Sequence, residues 1–212
     1  MILILYISIA VITMMTLLYM QHNKFGRLPS GDRLEQFNKS ANYKDGKFEN
    51  FNYTPQLTEG YSMLGVVYKH FFKKAPRRKP TDTIPSIKTD LLNLSTDQDI
   101  LVWFGHSSYF MQLDGKRILV DPVFSGNASP MPGSNKSFKG TDIYSVSDLL
   151  DIDYLFITHD HYDHLDYETI LKLQPKIGKV ICGLGVGSHF ESWGYDKTKI
   201  IEKDWHDTRT IR

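Results

Sequence analysis

The chain has 212 residues, 41% of them hydrophobic and 13% aromatic, enough for one sizeable core or one domain with an N-terminal appendage. Its 25 basic and 24 acidic residues leave a formal charge of +1, so no global field marks nucleic acid as a partner, and none is expected. A single cysteine, Cys182, excludes an intrachain disulfide, and its setting in "KVICGLG" reads as a buried strand end rather than a reactive thiol.

Residues 1–20 form the first predicted unit. Ile2 to Met20 carry no charge and are dominated by Leu, Ile, Val, Met and Tyr. At about 1.5 Å rise per residue, a helix of that length reaches roughly the 30 Å of a bilayer core. A cleaved signal peptide would need a basic start, a shorter apolar run and a small-x-small cleavage site, and "LLYMQHNKFG" has none of them. The expectation is an uncleaved membrane anchor. Lys24, Arg27 and Arg33 all follow the span, so the positive-inside rule points the large domain toward the cytoplasm.

Residues 21–97 read as a stalk or strap. The stretch from 21 to 60 is polar, scattered with Gly, Asn, Pro and Lys, and without sustained period, so little regular structure is expected there. "YSMLGVVYKHFF", residues 61–72, predicts an apolar helix, and "KKAPRRKP" after it is either a solvated linker or a contact for anionic lipid headgroups.

From residue 98 onward the pattern changes to short apolar runs split by turn signals. "ILVWF", "YFMQL" and "RILV" predict strands, with Asp114-Gly115 in "LDGKR" as a hairpin turn. "DYLFITH" predicts a buried strand, "YETILKL" a helix, "KVICG" a strand, "GVGSHFESWG" a helix ending at Gly194, and "KII" a last strand. Alternating strands and helices predict an α/β layered domain over 98–212.

At the end of the run "YLFI" comes "THDHYDHLD", which places three of the eight histidines between positions 159 and 164. The spacing is His159-x-His161-x-Asp163-His164. In extended or loop backbone, residues two apart point the same way, so His159 and His161 can share one cation while Asp163 and His164 turn toward a second. Imidazole and carboxylate are ligands zinc takes at about 2.0 to 2.2 Å, and the absence of a nearby cysteine favours a hydrolytic site with an open position for water over a structural knuckle. A nearby "GLGVGS" resembles a dinucleotide fingerprint, but Ser188 stands where the third glycine belongs, so it predicts only a tight strand-to-helix turn.

"THDHYDH" resembles the HxHxDH motif of the metallo-β-lactamase-fold hydrolases. "LVWFGHSSYFMQLDGKRILVDPVFSGNASP" followed by "DIDYLFITHDHYDHLDYETI" is similar to the branch of the N-acylphosphatidylethanolamine-hydrolysing phospholipase D, including its membrane-attached, RomA-like bacterial relatives. The resemblance runs from about residue 98 to 205. It implies an αββα sandwich with a zinc pair, His159 and His161 on the first zinc, Asp163 and His164 on the second, Asp163 taking part in catalysis, and His106 in "GHSS" and Asp121 in "VDP" as positioning groups behind the ligands. It further implies a membrane lipid substrate, with a metal-bound hydroxide attacking the phosphodiester of an N-acylphosphatidylethanolamine.

Members of that family carry a third histidine, a bridging aspartate and a final histidine farther along the chain. After His164 this sequence offers only His189, expected to face solvent or pack, and His206. The expectation is therefore the N-terminal half of the sandwich, an incomplete metal set, and an apolar sheet face without its partner layer. Two alternatives stand beside the phosphodiesterase: a lactonase or small-phosphodiester hydrolase of the same fold, and a truncated, non-catalytic membrane protein.

Overall fold

The computed structural model describes residues 1–73 and 76–210; Lys74 and Ala75 of the basic run lie outside the described residues. Helix α1, Ile2–Met20, buries none of its residues, as its uniformly apolar surface requires of a helix with no stripe to turn inward. Its length and composition are those of a helix able to cross a membrane. At its end Tyr19 and Lys24 both reach the carbonyl of Pro130, the Lys24 ammonium at 2.8 Å, which fixes this end against the domain.

The following segment is more ordered than its composition predicts. It contains a 3₁₀ turn at Asn23–Phe25, helix α2 (Asp32–Phe37) and a hairpin of β1 (Tyr43–Lys44) and β2 (Lys47–Phe48). Tertiary contacts supply the order. Phe37 is buried between Tyr43 and Phe48, with ring centroids 5.3 and 4.9 Å away, and its ring occupies the space a side chain at Gly185 would take. Arg33 forks between Glu191 and Glu202 at 2.8 Å each. The strap therefore lies along the domain as a belt rather than standing off as a stalk. Helix α3, Met63–Phe72, is capped by the Ser62 hydroxyl accepting from the Gly65 amide, and it buries none of its residues.

The domain is built on six strands: β3 (Ile100–Gly105), β4 (Ser108–Leu113), β5 (Lys116–Val120), β6 (Ile152–Ile157), β7 (Ile177–Gly183) and β8 (Ile200–Lys203). They lie side by side in chain order, antiparallel from β3 to β5 and parallel from β5 to β8. Asp114 and Gly115, with φ of 52° and 72°, form the left-handed two-residue turn that the sequence predicts between β4 and β5. Helices α4 (Tyr167–Leu173) and α5 (Gly187–Ser192) cross between the parallel strands. They cover one sheet face, where Phe110, Leu119, Leu155 and Val180 pack with Ile170, Leu173 and Phe190. On the opposite face Leu101 and Trp103 stand 61% and 67% exposed and their register neighbours Met111, Tyr109 and Phe156 are half-buried. Cys182 is buried at its strand end, as expected, and burial pushes its thiol pKa up.

Candidate metal centre

The parallel register sets the site. The amide of Asp121, one residue past β5, donates to the carbonyl of Phe156 in β6, so the two strands end level and open side by side at their carboxyl ends. In open α/β sheets this is the edge where loops gather ligands. From β6 the chain leaves through Thr158 into the histidine loop, which closes on itself when the amides of His164 and Leu165 donate to the carbonyl of His161 at 2.9 and 2.8 Å.

Asp121 is 1% exposed, with a left-handed φ of 44°. One carboxylate oxygen accepts from the Thr158 amide at 2.8 Å; the other accepts from the Thr158 hydroxyl at 2.6 Å and meets His164 Nδ1 at 2.8 Å. An ionised carboxylate only accepts, so Nδ1 carries the hydrogen and His164 Nε2 is left with its lone pair facing the loop. A contact of this kind fixes the orientation of an imidazole ring and the tautomer it carries.

Around that nitrogen the other donors collect. His159 lies between His164 and His161, with ring centroids at 4.0 and 4.6 Å, so the three histidines of the loop share one neighbourhood. Asp163 Oδ2 is 3.8 Å from His164 Nε2 and 3.0 Å from His106 Nε2. His106 comes from the turn between β3 and β4, where Gly105 and His106 both adopt positive φ, of 111° and 49°. The donor atoms of His106, Asp163 and His164 all lie within 4.8 Å of one another. His106 thus contacts Asp163 as a positioning group would, and it also stands within reach of a cation held there.

Burial, and after it the adjacent rings of His164 and His161, holds the His159 imidazole below its usual range. Burial pushes the Asp163 carboxyl up, but its own backbone amide, His164 and His106 outweigh that and leave it below the usual carboxylate range. Neutral imidazoles and an ionised carboxylate are the forms that bind a metal. Four imidazoles and a carboxylate gathered at the end of a sheet are nitrogen and oxygen donors of the kind a divalent cation takes, and the residues present fit such an ion.

Two residues near the site are not marked by the motif. His189, expected to face solvent or pack, packs: it is 7% exposed, stacked on Trp193 with centroids 5.8 Å apart, and it accepts the Arg27 amide at Nδ1. Its Nε2 stands 3.5 Å from Asp160, between the two motif histidines, and this contact lowers the Asp160 pKa. Asp166, wholly buried, accepts from the Ser125 amide at 2.9 Å and the Thr169 hydroxyl at 2.5 Å, tying the loop after β5 to α4. No spacing rule identifies either, because each works through contacts between distant segments. His206 is exposed and stacked on Phe51, 5.8 Å between centroids.

Beside His106 and Asp163 opens a cleft of about 690 Å³, whose walls include Trp103, Phe104, Ser108 and Tyr144.

Residues 116–212 match the family described as Beta-lactamase superfamily domain. An uncharacterised protein of Mycobacterium tuberculosis is 30% identical over 82% of this chain and 47% of its own length. An N-acyl-phosphatidylethanolamine-hydrolyzing phospholipase D of Caenorhabditis elegans is 25% identical over 76% of this chain and 47% of its own. A metal-dependent hydrolase of Caldivirga maquilingensis is 37% identical over 31% of this chain and 23% of its own. Among solved structures, the diiron β-hydroxylase CmlA of Streptomyces venezuelae aligns with a TM-score of 0.39 and 30% identity over 54% of this chain and 22% of that one. The chain spans about half the length of the first two relatives.

Proposed function

We propose that this chain, whose residues 116–212 form a β-lactamase superfamily domain, is the metal-holding and membrane-attached portion of a zinc-dependent phosphodiesterase of phospholipase D type that acts on N-acylphosphatidylethanolamine-like lipids. The observation that carries this reading is the gathering of His106, His159, His161, Asp163 and His164 at one end of the sheet, with Asp121 fixing the ring of His164. His159, His161, Asp163 and His164 would hold zinc, an ion suited to nitrogen and oxygen donors. When bound, zinc supplies Lewis acidity that acidifies water and offsets charge on phosphoryl oxygens.

The chain's own residues supply the rest. Asp163, held below the usual carboxylate range with His164 and His106 beside it, offers an ionised carboxylate that would bind the cation and orient the attacking water. His106, 3.0 Å from it, orients the carboxylate. The aromatic walls at Trp103, Phe104 and Tyr144 suit the apolar part of a lipid, and α1 would keep the domain at the membrane that contains it. The relative from Caenorhabditis elegans, named for this substrate, supports the same reading.

The test is metal content and turnover of the protein purified in detergent. Zinc should co-purify, and vesicles containing N-acylphosphatidylethanolamine should release N-acylethanolamine in a chelator-sensitive way. Iron in place of zinc would overturn the metal assignment. Cleavage of a lactone or a small aryl phosphodiester but not of the lipid would overturn the substrate. Bound zinc without turnover on any ester would leave a metal-binding membrane protein and refute the enzyme reading for this chain.

A further inference from the structure

Helix α3 has no role in the metal centre, and its surface is unusual for a segment in water. Its residues Leu64, Phe71 and Phe72 are 84%, 73% and 72% exposed, and Met63, Tyr68 and Val67 are 55%, 55% and 45% exposed. At 100° per residue these six apolar side chains fall within one half of the helix surface, while Gly65, Lys69 and His70 fall in the other with Val66. Its last turn carries Lys69 and His70, and Lys73, Arg77, Arg78 and Lys79 follow within seven residues of its end, all exposed. A continuous apolar half-cylinder beside a basic cluster is the form of a helix that lies in the plane of an anionic membrane surface, its apolar face among the acyl chains and its cations among the headgroups. The rest of the chain favours that occupant. Tyr19 and Lys24 hold the end of α1 against Pro130, so if α1 spans, the domain rests directly on the bilayer, and Met131 beside that contact is 61% exposed.

We infer that α3 and the basic run after it form a second membrane contact, an in-plane amphipathic helix that docks on anionic lipid. The inference rests on the proposed membrane attachment and not on the proposed chemistry. The two contacts divide the work: α1 sets the distance of the domain from the bilayer, and α3 sets its rotation about the span.

The test uses the whole chain reconstituted into vesicles of phosphatidylcholine alone or with about a third phosphatidylserine. Leu64, Phe71 or, on the opposite half, Lys69 is replaced by cysteine and labelled with an environment-sensitive fluorophore. Cys182, 3% exposed, stays unreacted. In anionic vesicles the labels at 64 and 71 should shift to the blue and be quenched by spin-labelled lipid, while the label at 69 should not. Replacing Lys73, Arg77, Arg78 and Lys79 with glutamine should lower the fraction of quenched label by at least about tenfold at physiological salt. A blue shift at 64 and 71 that lipid quenchers do not touch means that protein covers the face, and it overturns the proposal. Equal emission at all three positions does the same. Flotation separates this failure from failure of the anchor: a chain that floats with neutral vesicles but shows no quenching keeps α1 and loses α3. One that floats only with anionic vesicles and shows the quenching pattern keeps α3 and loses α1.

Discussion

Asp121 makes no contact with the cleft, yet its replacement should change metal binding and folding by separate amounts. In Asp121→Ala the Thr158 amide and His164 Nδ1 lose their acceptor at a position only 1% exposed. At about 1–3 kcal/mol per abandoned buried donor, the cost is roughly 2–6 kcal/mol, a large part of the ~5–15 kcal/mol that holds a domain folded. Asp121→Asn is the cleaner perturbation. Its amide oxygen can still take the Thr158 amide, so the fold should lose no more than about 1.5 kcal/mol. Its NH₂ group would face His164 Nδ1, forcing the hydrogen to Nε2 and removing the lone pair that would face a metal. Loss of such an orienting carboxylate weakens metal binding by about 10–100-fold, or roughly 1.4–2.7 kcal/mol. Zinc affinity by competition with a chromophoric chelator and thermal unfolding with and without zinc would measure both. The reasoning is refuted if Asp121→Asn binds zinc as tightly as the natural chain.

Other outcomes follow from the belt. Arg33→Ala should cost about 1–3 kcal/mol, because Arg33 and Glu202 are mostly buried at their contact, and it should open residues 21–50 to limited proteolysis. Arg33 lowers the Glu191 pKa. A depressed carboxylate pKa contributes stability that is complete above the unfolded value near 4.5 and disappears as pH falls through the folded value, so the variant should show a flatter loss of stability in acid. Gly26→Ala would put a methyl group 1.9 Å from His189 Nδ1, at a φ of 64° that already favours glycine, and should release the start of the belt with a lower melting temperature. His189→Ala leaves the Arg27 amide without its acceptor and opens a void beside Trp193, for a loss of about 2–4 kcal/mol, together with weaker zinc binding because Asp160 is no longer braced.

Local signals announced the elements whose order is local. Asp114-Gly115 named its own turn, "YETILKL" coincides with α4, and the apolar run ending at Ile157 marks the strand that delivers the histidine loop. Four of the donors lie within six consecutive residues, so one loop carries them and their nearness is local. His106 was named from a matched position, but its closeness to Asp163 depends on how β3 and β4 turn over the end of β6, which no window contains. The sequence left stalk and strap open for the same reason: Phe37 lies against Gly185 and Ser40 bonds Asp204, each more than a hundred positions away. His189 looks like an ordinary surface histidine on a short helix until the backbone of Arg27 is laid against it.

The strand order carries a consequence for how the molecule is made. Each strand pairs with the one synthesised just before it, so the sheet can grow from β3 to β8 as the chain emerges, each closure joining strands that are consecutive in the chain. The belt breaks that schedule. Arg33 and Ser40 leave the ribosome early, but their partners Glu191, Glu202 and Asp204 come about 160 residues later. The segment next to α1 must therefore wait, unpaired, until β8 has been made, and its docking is the event that reports that strand in place. A growing chain halted before β8 would keep its hairpins but leave residues 21–50 loose and open to proteases.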